Sequence, residues 1–199
     1  MSKQEKIARC IRAITIPPVL IILTLIVLYH KSPAMFHGAR DFWMSLLWLG
    51  ICPVLAYPLQ RILPGWKEKG REGQRNLAFI CSVIGYLIAV VYGLVTDASL
   101  ELQLIFNTYI LSVVLLVFLN KVVKRRASGH ACSITGPLIF LVYFVSWKMA
   151  AFGVLIGGMS FWASLKLKRH SLMDLLSGSM TCIVSFAIVL VMMKFSCNL

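Results

Sequence analysis

Long apolar stretches alternate with short basic segments along almost the whole chain. Seven of these stretches are apolar enough to form helices inside a bilayer, and each approaches the roughly 20 residues that one crossing needs. They cover about residues 13–29, 42–59, 77–95, 102–119, 131–147, 149–165 and 171–193. The pattern predicts an all-α fold: a polytopic transmembrane helix bundle with about six to seven spans, six if the first stretch is only interfacial.

The fifth and sixth apolar stretches are separated only near Trp147 and Lys148. Together they contain about 35 residues, which is too long for one crossing without extreme tilt. We therefore predict a tight helical hairpin at this point. The even distribution of spans predicts a single integral membrane domain over residues 1–199.

Composition agrees with a membrane protein and excludes an ordinary soluble domain. The chain is 59% hydrophobic and 14% charged, with a mean hydropathy of +0.85 and a net charge of +13. If the spans alternate in direction, sixteen Lys and Arg residues fall on the side of the amino terminus and four on the other side. This bias predicts that the first side is cytoplasmic and that the basic residues meet membrane lipids. Nucleic-acid binding is a weak alternative, because the sequence contains no separate basic soluble domain to carry it, and no nucleic-acid partner is expected.

Two histidines are predicted to meet at this cytoplasmic surface. His130 precedes the helical hairpin and His170 follows it, so two crossings bring both back to the same side. Asp174 lies four residues after His170, one helical turn away on the same face. A carboxylate in this position can hold the tautomer of the imidazole and stabilise its cation. An acid at the end of an apolar span also suggests a functional site.

The residues around the histidines suit phosphate chemistry. Ser128 offers a hydroxyl, Gly129 lets a ligand approach the backbone, and helix starts at His130 and His170 supply N–H groups to an anion. Nearby arginines bind phosphate oxygens in a bidentate manner. A histidine supported by a carboxylate can attack phosphorus while a second histidine protonates the leaving oxygen. The set predicts a hydrolase of phosphate esters that needs no metal or other cofactor.

These motifs resemble a known family. Ser128-Gly129-His130, then a helical hairpin, then His170-x-x-x-Asp174 with Gly178 soon after, resembles the type 2 phosphatidic acid phosphatase superfamily. The resemblance covers about residues 121–190. It implies that His170 is the nucleophile that forms a phosphohistidine, Asp174 its orienting partner and His130 the general acid. It also implies that Ser128 and the Gly129 amide bind phosphate oxygens.

The chain departs from the family pattern at two places. The usual first motif ends in Arg-Pro, which is absent; Arg126, two residues before Ser128, fits a compressed form of it, with Lys121 and Arg125 as helpers. The family arginine six residues before the nucleophilic histidine is Ser164 here. Lys166 or Lys168 can replace its charge, although lysine matches the bidentate geometry less well.

Simpler interpretations of the same residues stay open. Ser171 and Asp174 form the pattern of a helix capping box, and Ser128 can be a simple helix N-cap. A metal site of His130, His170 and Asp174 is disfavoured by the basic surroundings.

Three functions remain in view. The favoured one is hydrolysis of a phosphatidate-like lipid or a polyprenyl (di)phosphate at the cytoplasmic leaflet. The alternatives are a non-catalytic lipid-phosphate binder or transporter on the same fold, and a phosphotransferase.

Overall fold

The computed structural model of the protein describes residues 2–196, except for the side chain of Arg71. Within these residues the chain forms eight helices. They are α1 (Lys3–Ile14), α2 (Pro17–Lys31), α3 (Ala39–Ile62), α4 (Gly70–Val95), α5 (Leu100–Val117), α6 (Gly129–Phe144), α7 (Met149–Lys166) and α8 (Leu172–Ser196). The predicted domain also includes residues 1 and 197–199, which lie outside the described part.

The prediction of an all-α, multi-pass membrane bundle is confirmed. In the described chain five helices, α3, α4, α5, α7 and α8, have the length and apolar character to cross a membrane. The α1–α2 pair passes the same test only as one bent span. Helix α6 has 16 residues, about 24 Å of helix, which is shorter than a hydrocarbon core of about 30 Å. The seven predicted stretches therefore correspond to α2–α8, and α6 and α7 form the predicted hairpin.

The amino-terminal segment differs from the prediction. The first predicted span began near residue 13, whereas the structure has a separate helix α1 and begins α2 at Pro17, with a bend of 49° between them. Ser2 and Glu5 form a complete capping box that starts α1. Helix α1 ends before Pro17 and Pro18 because two consecutive prolines remove backbone donors, and proline suits the first turn of a new helix.

Between the apolar stretches predicted at 42–59 and 77–95, the structure leaves only residues 63–69 outside the helices. Helix α4 begins at Gly70, so Arg75 lies in the second turn of this helix. Glu72 in the first turn is favourably placed near the positive end of the helix dipole.

Helix α8 lies at the centre of the bundle. It packs against α5 and α6, while α2 also contacts α6, and α7 packs against α1 and α6. Phe106 and Phe140 are fully buried in the main apolar core. Large apolar side chains such as Val95 and Val154 face outward, as expected for helices whose outer surface contacts lipid.

Hydrogen bonds around Asp41 hold the bundle together at the surface opposite the histidines. The Asp41 side chain is almost fully buried, 2% exposed. Its carboxylate accepts a bond from the His37 backbone N–H at 2.9 Å and one from the Tyr92 hydroxyl at 2.5 Å. These bonds tie the start of α3 to the end of α4. The opposite end of the bundle carries the candidate site.

Candidate functional site

The starts of α6 and α8 are joined directly through their backbones. The N–H of Ser128 donates to the carbonyl oxygen of Asp174 at 2.8 Å. One turn further along α8, Gly178 lies so close that an added Cβ would stand 2.2 Å from the carbonyl oxygen of Ser128. Only glycine permits this approach. The predicted convergence of the two motifs at one end of the bundle is present in the structure.

Ser128 and Gly129 begin α6. The Ser128 hydroxyl accepts from the Ala131 N–H at 3.3 Å, so its role as an N-cap is observed. Gly129 is exposed, and the nearest atom to a Cβ there would be one on Leu116, 4.0 Å away. The first amide groups of α6 are therefore accessible to an anion.

Asn120, which the sequence analysis did not identify, fixes the segment that leads into α6. Its side-chain amide donates to the carbonyl oxygens of Leu116 and Ala127, at 2.8 Å and 3.3 Å, and its oxygen accepts from the Ala127 N–H at 3.1 Å. Arg126 and Ser128 flank Ala127. Asn120 thus positions both of the residues predicted to bind phosphate from this segment.

Asp174 serves as a helix cap and also contacts its predicted partners. Its Oδ2 accepts from the Ser171 N–H at 3.0 Å, and its own N–H donates to the Ser171 hydroxyl at 3.1 Å, which completes the capping box. The same Oδ2 lies 3.6 Å from Nε of Arg126 and 3.8 Å from Nδ1 of His170. The latter distance is electrostatic contact rather than a hydrogen bond.

The surroundings of His170 favour the neutral form of its imidazole. Burial is the main cause that lowers the pKa of its imidazole from 6.5, and the positive charges of Arg12, Arg126 and Arg75 lower it further. Asp174 acts in the opposite direction and raises it. Three guanidinium groups thus oppose one carboxylate, and a neutral imidazole is the form that can act as a nucleophile.

His130 lies in the first turn of α6, two residues after Ser128, and is partly buried. Within the described residues, Nε2 of His130 and Nδ1 of His170 are buried and have no hydrogen-bond partner. Buried polar atoms in this state are uncommon and suit a bound ligand or water.

An open cleft of about 470 Å³ lies beside these groups. Its lining includes Arg126, His170 and Asp174, together with Leu165, Lys168, Arg169 and Ser171. Of these last four, the sequence analysis considered only Lys168 for phosphate binding. His130, Ser128 and Gly129 do not belong to the lining. The turn that presents them is tight, because Lys168 has a positive φ of 50° and the Arg169 N–H donates to the Ser164 carbonyl oxygen at 3.0 Å.

Three predicted phosphate-binding lysines and arginines do not line this cleft. Lys121 lies in a π-helical turn after α5, Arg125 in the following loop and Lys166 at the end of α7. All three are exposed. Phosphate binding by these three residues stays a prediction. The basic residues from this part of the chain that line the cleft are Lys168 and Arg169.

Ser164 has an arginine beside it, although the arginine comes from a distant part of the sequence. Nη1 of Arg12, in the last turn of α1, donates to the Ser164 hydroxyl at 2.7 Å. Sequence reasoning treated Arg12 only as a topology signal, because nothing in the local pattern indicates a contact across 152 positions.

Among the described residues, no group of three His, Cys, Asp or Glu side chains gathers as a set of metal ligands. No protein-family model matches the chain, and searches of curated proteins and of solved structures find no significant match either.

Proposed function

We propose that the protein is an integral membrane lipid phosphatase of the type 2 phosphatidic acid phosphatase superfamily, acting through a phosphohistidine and without a metal ion. The observation that supports this most directly is the joining of α6 and α8. The backbone bond from Ser128 to Asp174 joins the start of the helix that carries His130 to the segment that carries His170 and Asp174, and this segment borders a cleft lined by Arg126, Lys168 and Arg169. A neutral imidazole next to several cations suits attack on a phosphate ester.

In the proposed reaction Nε2 of His170 attacks phosphorus. The 3.8 Å approach of Nδ1 to Asp174 supports this choice, because it leaves Nε2 as the other ring nitrogen for the substrate. The bond from phosphorus to the lipid oxygen breaks, and His130 gives a proton to that oxygen. Water then attacks the phosphohistidine and returns a proton to His130 as phosphate leaves. The negative charge of bound phosphate favours the protonated form of His130 that this step requires.

The substrate proposed is a phosphatidate-like lipid or a polyprenyl (di)phosphate. A basic cleft at the end of a bundle of apolar helices suits a phosphate that stays attached to a tail in the bilayer. The bias in Lys and Arg supports a cytoplasmic position for this cleft.

One observation favours a binder or transporter as a second candidate. Oδ2 of Asp174 is already occupied by the Ser171 N–H, and it stands 3.8 Å from Nδ1 of His170 rather than at hydrogen-bond distance. A capping aspartate without a catalytic role would have this geometry. In such a protein the cleft binds lipid phosphate and does not hydrolyse it.

Phosphate release from purified protein distinguishes the two candidates. Wild type, His170→Ala and His37→Ala are incubated with phosphatidate, phosphatidylglycerophosphate and prenyl diphosphates, with a chelator present. His37 is the matched control because its side chain is exposed at the opposite surface. A phosphatase releases phosphate in wild type and His37→Ala but not in His170→Ala. Binding of lipid phosphate without release in any variant supports the binder.

The phosphotransferase alternative uses the same intermediate and differs in the acceptor. The rate at which radiolabelled phosphohistidine disappears, measured in acid-quenched samples, tests this alternative. Slow loss to water with fast transfer to an added alcohol would identify a transferase. Fast hydrolysis without any added alcohol would identify a phosphatase.

A further inference from the structure

Helix α1 is firmly attached to the bundle. A full capping box starts it, Ala8 in its middle is fully buried, and the helix packs along α7. A helix that served only to mark topology would need none of these contacts.

Arg12 differs from the other basic residues of α1. Lys3, Lys6 and Arg9 are exposed, whereas Arg12 is half-buried and its guanidinium reaches the Ser164 hydroxyl at 2.7 Å. Ser164 itself is completely buried. Its carbonyl oxygen accepts from the Arg169 N–H, so Arg12 contacts the base of the turn that carries His170.

Arg12 and Arg126 both act on the imidazole of His170. After burial, the positive charges of these two residues lower its pKa. Arg126 comes from the segment before α6 and lies 3.6 Å from Asp174, whereas Arg12 comes from α1. Guanidinium groups from two separate parts of the chain suit binding of a phosphoryl group near His170.

We propose that Arg12 is a phosphate-binding residue of the active site, and that α1 is therefore a functional part of the site rather than a topology signal. The inference rests on the proposed function, because it assigns a contact to the phosphoryl group of the same substrate. Ser164, on α7, orients the guanidinium of Arg12 through its hydroxyl. A larger side chain at position 164 would displace Arg12, so this position requires a small residue with a hydroxyl group. Because Arg12 lies in α1, removal of residues 2–14 should also abolish phosphate binding.

Affinity for inorganic phosphate tests this role without relying on turnover. Wild type, Arg12→Ala, Arg12→Lys and the matched control Arg9→Ala are purified in detergent and titrated calorimetrically with inorganic phosphate. We expect Arg12→Ala to weaken phosphate binding by about 10- to 100-fold, the range for loss of a charged hydrogen bond. Arg12→Lys should fall between, because lysine keeps the charge and loses the planar fork. Arg9→Ala should stay within about twofold, since its side chain is exposed.

Folding and catalysis are checked separately. If Arg12→Ala is destabilised, Arg12→Lys retains the charge beside Ser164 and decides the question by its own loss of phosphate affinity. Phosphate affinity within about twofold of wild type in both folded Arg12 variants overturns the inference, even if lipid hydrolysis depends on His170. If phosphate binding depends on Arg12 but the protein hydrolyses no lipid phosphate, Arg12 is still a phosphate-binding residue, and the proposed phosphatase activity is rejected.

Discussion

The backbone N–H of Ser128 donates a 2.8 Å hydrogen bond to the carbonyl oxygen of Asp174. This bond joins the N-cap residue of α6 to a residue in the first turn of α8, and so it links the segments that carry His130 and His170. Gly178 makes the close approach possible, because the carbonyl oxygen of Ser128 occupies the space of the missing side chain.

Gly178→Ala should therefore destabilise the protein strongly. The new Cβ would stand 2.2 Å from the Ser128 oxygen, and both atoms belong to rigid backbone. We expect a loss of about 3 kcal/mol, at the upper end for overpacking, visible as a lower melting temperature in detergent. Gly158→Ala is the control: a Cβ there meets no atom within 4 Å, and alanine favours a helix. Equal melting temperatures for the two variants would contradict the importance of this contact.

Hydrolysis should persist at mildly acidic pH. The pKa of His170 is lowered from 6.5, mainly by burial and then by Arg12 and Arg126, so the neutral nucleophile survives below that pH. We expect the acid limb of kcat/KM to lie below 6.5, and Arg126→Ala to move it upward because a positive neighbour is lost. An unchanged limb in Arg126→Ala would contradict this. Because the pKa of His170 is lower in the folded protein than in the unfolded chain, the unfolded chain binds the proton more readily. The free energy of unfolding should therefore fall as the pH drops below 6.5.

Arg126 and Lys166 should differ in their effect on substrate binding. Both were predicted to bind phosphate, but only Arg126 lines the cleft and contacts Asp174, at 3.6 Å. We expect Arg126→Ala to lower kcat/KM about 10- to 100-fold and Lys166→Ala to change it less than about threefold. The Arg126 side chain is 65% exposed, so its contact with Asp174 should add little to stability. A larger effect of Lys166→Ala would restore the predicted role of that lysine.

The helices and the convergence of the histidines could be predicted because both depend on local pattern. Apolar stretches of bilayer length fix the crossings, and alternation of direction returns residues 130 and 170 to one surface. Arg12 could not be predicted as a neighbour of Ser164, because the contact arises from the 49° bend between α1 and α2 and from the packing of α1 on α7. A π-helical turn such as Leu46–Ile51 also carries no clear sequence signal.

The sequence also could not show that Lys168 and Arg169 line the cleft while Lys166 does not. The positions of these three basic residues depend on the tight turn at Lys168, where φ is 50°. This conformation is unusual for a residue other than glycine. The capping box at Ser171 and Asp174, by contrast, follows a local pattern and was recognised, although the pattern alone left open whether the aspartate also contacts His170.

Asn120→Ala should impair the site through the segment that carries Arg126 and Ser128. The substitution removes three hydrogen bonds and leaves the backbone N–H and carbonyl of Ala127, 8% exposed, without their partner. Each buried group left unpaired costs about 1–3 kcal/mol. Asn107→Ala is the control, since Asn107 lies within α5 and its side-chain amide donates to the carbonyl oxygen of Gln103, one turn earlier in the same helix, at 2.8 Å. We expect Asn120→Ala to lower both the melting temperature and the affinity for inorganic phosphate, and Asn107→Ala to leave phosphate affinity within about twofold. Unchanged phosphate binding in a folded Asn120→Ala protein would show that the segment before α6 does not need this asparagine to form the site.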